Sequence, residues 1–417
     1  MTATPYSGRT ASPRTARAIN DRLALELLQS EGPLTATQLK ELTGLSRPSV
    51  ADLVERLGAA GLIHVVGESG AERRGPNARV YGIVADRAHL AAVDVRTHSV
   101  AIEVADLLGR TIGRAALPVD PLGDPRRTVK RSVALLERTA REAGATALHT
   151  VAVGAPGLVD PATGELRATG QLPMWHSVLV AELRQRIGIP VLLDNEVNLA
   201  AVAEQRLGVA NGHEDFVLLW NQEGIGAALV IGGRLHRGRT GGAGEVGFLP
   251  VPGTPLVRDP AHTNSGGFQE LAGANAVLRW ARELGLPHDP AAALHDNAAD
   301  LVARAVVAAE GERAGAQDRT SGGDGPHGEL LRRLATGIAI GLASMVAVLD
   351  PQLIVLSGGV LTAGGEPLRE LVQAELTELA VPRPLLVLGT VTEQPVLHGA
   401  LESALATTRD EVFDTSR

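Results

Sequence analysis

Beyond Arg87 the chain is written in short runs of Ala, Val, Leu and Ile that stop at glycine-rich turns, and this punctuation restricts the fold more than any other feature. Residues 90–95 read as a buried strand, with a hairpin meander over 100–106 and 109–112. Residues 151–160 read as a strand ending in a tight loop, and 190–196 as a strand that feeds a helix over 197–207. The theme returns at 216–220, 224–231 and the Gly232-Gly233 turn. A long Ala-rich stretch then precedes a strand over 353–356. Strand meanders followed by helices, twice, predict an α/β fold with two lobes around a cleft. Hydrophobic residues make up 44% of the 417, ample for such cores, but aromatics are only 2%, so the cores must be built from Ala, Val and Leu.

The chain contains no cysteine. Disulfides, thiolate metal sites and cysteine nucleophiles are thereby excluded. Residues 1–20 are polar and arginine-bearing, without the apolar core of a signal peptide. No run of about 18 apolar residues is present, so no membrane span is expected. The expectation is a soluble, cytoplasmic protein.

The first 87 residues have a different texture. An apolar pattern over 14–29 suggests a helix with Ile19, Leu23, Leu27 and Leu28 on its inner stripe and Leu25 off that face. Gly32-Pro33 ends it. Thr35, with Gln38 three residues on, signals a capping box for a second short helix. Gly44-Leu45 make a tight turn, and Ser46 caps a third helix over 47–60 whose inward stripe is Val50, Leu53, Val54 and Leu57. Two short helices joined by a glycine turn form a helix-turn-helix pattern. Residues 62–66 and 79–84 read as paired strands, and the polar tip between them carries Arg73-Arg74, a wing. In such a domain the N-terminus of the last helix enters the major groove. That assigns Arg47 and Ser49 to base edges, Ser46 to a phosphate, and Arg73 and Arg74 to the minor groove or the backbone. A small helical dimerisation module with a surface hairpin is the plainer alternative.

Charge supports the first reading weakly. Residues 1–87 hold 11 Lys/Arg against 9 Asp/Glu, whereas the remainder holds 28 against 38. Only the first segment has the sign that tolerates a phosphate backbone. Asp52 and Glu55 on the last helix are unfavourable there, and a dimer would double the contacts.

Several stretches after Arg87 resemble the ROK family of sugar kinases and transcriptional regulators, within the actin-like ATPase superfold. They are Gly154-Ala-Pro-Gly-Leu-Val-Asp160, Leu172-Pro-Met-Trp175, Asp194-Asn-Glu-Val-Asn198, Gly224-Ile-Gly226, Gly232-Gly-Arg-Leu-His-Arg-Gly238, Gly241-Gly-Ala-Gly-Glu-Val-Gly247 and Ser357-Gly-Gly359. Each alone is a weak glycine-rich match; their order, behind a winged helix, is specific. The resemblance implies three units: a winged helix-turn-helix over 1–87, a first sugar-kinase-like lobe over 88–210, and a second lobe over 211–417 whose last helix returns to the first.

The departures from that pattern are equally informative. The resemblance implies a glycine pair and a threonine after the first strand's aspartate, where backbone amides wrap phosphates. Here the stretch is Asp94-Val-Arg-Thr-His98. The catalytic aspartate is replaced by Glu196, whose extra methylene displaces a general base by about 1 Å and costs on the order of 100-fold; Glu196 as a plain helix cap is the alternative. The family's zinc ligands fall at Phe248, Ala261, Thr263 and Phe268, and the adjacent His262 stands alone, so no metal is expected. Packing of Phe248 and Phe268 would hold the loop over 250–267 instead. No catalytic residue and no cofactor are assigned, and residues 316–327 read as a surface loop, not a phosphate cradle.

By resemblance, sugar hydroxyls would meet Asn195, Glu196, Glu245 and Glu270, with Gly154 and Gly157 shaping the floor and Gln171 a weaker contributor. Two readings of this cleft stay open: a working pocket for a sugar or sugar derivative, or a fossil whose carboxylates are structural. The function implied is a DNA-binding transcriptional regulator, a repressor of carbohydrate uptake or catabolism genes. Its expected partners are operator DNA, a sugar effector and further copies of itself, as homodimer or homotetramer. A regulator controlled by a protein partner and an active sugar kinase are the alternatives.

Overall fold

The computed structural model describes residues 13–69, 78–120, 123–167, 175–222, 224–256, 266–289, 292–316 and 325–416. The N-terminal part runs α1 (Pro13–Ser30), β1 (Leu34–Thr35), α2 (Ala36–Thr43), α3 (Arg47–Ala59), β2 (Ile63–Ser69) and β3 (Ala78–Ile83). Thr35 accepts a hydrogen bond from the Gln38 amide while the Gln38 side chain accepts one from the Thr35 amide, closing the capping box. Gly44, at φ 69°, ends α2 in the left-handed region, which a side chain would resist. The strands form one antiparallel sheet in the order β1-β3-β2; β1, two residues against Tyr81 and Val80, is too short to carry a sequence pattern.

The inner face of α1 differs from the one read in the sequence. Ile19 and Leu23 are exposed, whereas Leu25, placed off the stripe, is fully buried beside Ala24 and Leu28. The true stripe is Asp21, Ala24, Leu25 and Leu28, a regular i, i+3, i+4, i+7 set. It was obscured because its first member is an acid, which Arg56 of α3 pairs at 2.6 Å.

The rest of the chain forms two five-stranded mixed sheets. The first holds β4 (His89–Val95), β5 (Ser99–Asp106), β6 (Thr111–Pro118), β7 (Leu148–Ala155) and β10 (Val191–Asn195), in the order β10-β7-β4-β5-β6. A small hairpin, β8 (Leu158–Val159) and β9 (Leu166–Arg167), leaves its edge. α4 (Pro125–Glu142) and α5 (Trp175–Ile187) cover one face, burying Val133, Leu136 and Leu179 against Val93 and Val153.

The second sheet holds β11 (Phe216–Asn221), β12 (Ile225–Ile231), β13 (Arg234–Leu235), β14 (Leu353–Ser357) and β15 (Leu385–Leu388), in the order β13-β12-β11-β14-β15. Its outer face carries α7 (Gln269–Ala272), α8 (Ala274–Glu283), α9 (Leu294–Ala316), α10 (Pro326–Leu349) and α11 (Gly359–Leu379). Between the sheets lie α6 (Glu196–Leu207) and α12 (Pro395–Val412). Leu199 and Ala200 of α6 and Val396 and Ala400 of α12 share one core with Ala92 and Ala152 of the first sheet and Phe216 and Leu218 of the second.

α10 is apolar and long enough to cross a membrane, yet it is the central helix of the second core, with Leu330, Leu334, Ile338 and Leu342 fully enclosed. Phe268 is completely buried against it, its ring where a side chain on Gly341 would otherwise lie. Its amide donates to the Leu249 carbonyl at 2.9 Å, tying the loop after β13 to the core. Ala261, His262 and Thr263 lie outside the described residues. Phe268→Ala should lower stability by about 3–5 kcal/mol, read as a fall in the urea midpoint at unchanged slope.

Candidate functional site

Two surfaces carry chemistry. The first is the N-terminus of α3. Ser46, Arg47, Pro48 and Ser49 are all exposed there. Ser46 caps the helix by accepting from the Ser49 amide at 3.3 Å, and the two hydroxyls lie 2.9 Å apart. Both serines are therefore partly engaged with the helix end, whereas the Arg47 guanidinium projects from a positive helix terminus. Asp52 is neutralised by Arg56 one turn on. Arg73 and Arg74 lie outside the described residues.

The second surface lies at the C-terminal ends of the parallel strands β4, β7 and β10, where open α/β sheets place ligands. Asp94, Gly154 and Asp194 are paired across these strands in a single row. The two aspartates are thus about 10 Å apart, two strand spacings. A side chain on Gly154 would stand 2.5 Å from Val396 and 2.8 Å from Leu199, so this glycine admits α6 and α12 between the acids.

Each aspartate is met by an arginine: Arg96, from the altered stretch that follows Asp94, and Arg237, which was not singled out from the sequence. Arg96 donates to Asp94 at 2.8 Å. Burial pushes the Asp94 carboxyl above its usual range, and Arg96 opposes that shift. Arg237, from the turn after β13, donates to Asp194 through Nε at 3.0 Å, joining the second sheet's loop to the first sheet. Asp194 also accepts from the Asn198 side chain and the Asn195 amide, each at 2.9 Å. Gly241, at φ 79°, approaches so closely that a side chain would meet the Val159 carbonyl at 2.0 Å.

Asn195, not Glu196, caps α6: its carbonyl oxygen accepts from the Val197 amide at 2.8 Å. Its side-chain Nδ2 donates to the Gly157 carbonyl at 3.0 Å and to Glu196 at 2.6 Å. Glu196 is half-buried in the first turn beside it. Glu245 is exposed, and the protein packed around it pushes its carboxyl above the usual range. Its backbone bonds to Gly242 and Phe248, but no hydrogen bond or ion pair engages its carboxylate among the described residues. Glu270 is held by Arg279 at 2.8 Å and by the Gly266 amide at 3.2 Å. Phe248, half-buried, follows Glu245 by three residues. Gln171 lies outside the described residues. Beneath the turn after β4, His176 is buried edge-to-face against Trp175, ring centroids 4.3 Å apart, and burial lowers its pKa from 6.5 to about 4.

Residues 90–401 match the ROK family. The chain belongs to that family. Residues 17–64 match a winged helix-turn-helix DNA-binding family. Among curated relatives, the DNA-binding transcriptional dual regulator NagC of Escherichia coli K12 is 26% identical over 275 residues, 63% of this chain and 64% of that protein. The chain thus spans just under two thirds of that regulator. A glucokinase of Thermotoga maritima is 30% identical over 228 residues, 53% of this chain and 68% of the enzyme. A solved ROK family transcriptional regulator, a homologue of the E. coli MLC protein, superposes with a TM-score of 0.72 at 20% identity. That superposition covers 96% of this chain and 98% of that one, so the winged domain and both sheets share one fold with it.

Two outcomes follow for this ROK chain's cleft. Arg96→Ala leaves Asp94 buried and unpaired, and should cost on the order of 1–3 kcal/mol at pH 7, below the loss for a dry pair because Arg96 is one-third open to solvent. The loss should shrink as pH falls through the raised Asp94 pKa, and Asp94→Asn in the same chain should remove it, as thermal melts would show. His176 has a folded pKa below its unfolded value, so its contribution is present above pH 6.5 and lost as pH falls toward about 4. His176→Phe should flatten the decline of Tm across that window.

Proposed function

We propose that this ROK protein is a cytoplasmic DNA-binding transcriptional regulator, a sugar-responsive repressor of carbohydrate uptake or catabolism genes acting as a homo-oligomer. The observation that carries the proposal is the winged helix-turn-helix with its exposed, capped α3 N-terminus, joined to a ROK module. Ser46, Arg47 and Ser49, with Arg73 and Arg74 on the wing, are the DNA contacts of this reading. NagC and a xylose repressor of Caldicellulosiruptor bescii, 23% identical over 237 residues, support it by their names.

The ROK module serves as a sensor and not as a kinase. Where phosphate would need bare backbone amides, Arg96 extends a side chain and is anchored on Asp94. Glu196 replaces the catalytic aspartate and accepts from Asn195. The sugar contacts of this reading are Asn195, Glu196, Glu245 and Glu270, with Gly154 behind them. Glu245 is the most available, because the other carboxylates and Asn195 already hold protein partners. An uncharged, hydroxyl-rich ligand suits an exposed carboxyl that no protein group engages among the described residues.

The test is a titration of the purified protein against its own upstream intergenic DNA, with and without a panel of sugars and sugar phosphates. Arg47→Ala should weaken specific binding by about 1–3 kcal/mol, roughly 5- to 150-fold. One sugar should release DNA from the wild type and not from Glu245→Ala. Specific binding that no sugar alters would sink the sensor reading, and sugar-dependent ATP turnover would sink the loss of kinase activity.

A further inference from the structure

α12 meets both proposed sites. Its first half is seated on α6, the helix whose first turn carries Asn195 and Glu196. A side chain on Gly399 would lie 1.8 Å from the Leu199 carbonyl, so the two helices touch backbone to backbone without room to slide. Val396, Leu397 and Ala400 complete this contact.

The second half still lies on the first sheet, where Ala404 and Leu405 join the shared core and the Thr408 hydroxyl donates to that of Thr150 at 3.0 Å, and its C-terminal end reaches the winged domain. Arg409 donates to the Leu107 carbonyl at 3.1 Å, and Phe413, 2% exposed, sits in the core of the DNA reader with Leu25, Leu28, Leu53, Leu57 and Leu107. Beyond the helix, the Thr415 hydroxyl donates to one oxygen of Asp21 at 3.2 Å, while the other oxygen accepts from Arg56 of α3 at 2.6 Å. Arg22 pairs with Asp410 at 2.5 Å. Beside these contacts an open groove of about 530 Å³ separates α1 from the tail, lined by Arg14, Ile19, Arg22, Asp410 and Phe413. The junction thus has an exposed rim at Arg22 and Asp410 and a buried centre at Phe413 and Asp21. Asp21 stands buried in an otherwise apolar stripe, and its two oxygens join the tail to the DNA-reading helix.

We infer that Phe413 and Thr415 are positioning residues of the DNA reader, through which α12 carries the placement of α6 to Asp21 and Arg56 on α3. The inference rests on the DNA-binding reading above. From Gly399 to Phe413 the helix spans about 21 Å, so a change at the cleft end reaches α3 without touching it.

The test is hydrogen exchange on the full chain, which requires no DNA and no effector, paired with the DNA titration. Thr415→Val and Phe413→Ala should raise amide exchange over residues 47–59 about tenfold, leave the strands of the second sheet unchanged, and weaken DNA binding. Phe413→Leu should restore both. Gly399→Ala, or the milder Val396→Ala if the first does not fold, should raise exchange over 47–59 although neither residue touches the reader. Unchanged exchange there in the distal variants would overturn the relay, and unchanged exchange in Thr415→Val would overturn the Asp21 link. Faster exchange with unaltered DNA affinity would overturn positioning. A wild type that binds no DNA would count against the proposed function alone, since the exchange readout stands without it.

Discussion

The architecture depends on one close contact, the backbone of α12 lying on the backbone of α6 at Gly399 and Leu199. These two helices fill the space between the sheets, and their side chains supply the middle of the core that both sheets share. Packed interiors yield in discrete rearrangements more readily than by continuous deformation. A displacement of one helix must therefore be answered by the other, and the cleft and the C-terminal tail are two ends of a single packed element.

The cleft is organised by the same economy. Three small or acidic residues, Asp94, Gly154 and Asp194, share a row at the ends of parallel strands, and glycine in the middle is what lets the helices approach. Two acids brought together at the rim need cations, and the chain supplies them as Arg96 and Arg237. Arg96 comes from the turn that follows Asp94's own strand. Arg237 comes from the other sheet's loop, so the pair with Asp194 also holds the cleft's two sides together.

Much of the winged helix-turn-helix domain was legible because its signals are local. Capping at Thr35 and Ser46 and the turn at Gly44 depend on residues within a few positions of one another, and the structure shows each of them. The same holds for the strand-and-turn rhythm of the two sheets, which period and glycine placement reveal. The inner face of α1 was misread because its stripe begins with Asp21, and an acid is expected to face water. It turns inward because Arg56, from a different helix, and Thr415, 394 positions away, satisfy it.

The sequence by itself determined the fold class, the order of the units and the family, since these rest on patterns of period, capping and motif that neighbouring residues impose on one another. Through the motifs around them it also named Glu196 and Glu245 as candidates for the cleft. Only the tertiary structure decided which of those groups are already engaged by the protein, that Arg96 and Arg237 stand over Asp94 and Asp194, and that Phe413 belongs to the DNA reader's core. The physical reason is the range of the interactions. A helix cap is settled within one turn of chain, whereas an ion pair or a buried ring is settled by whatever the fold brings within a few ångströms, and no local pattern encodes that partner.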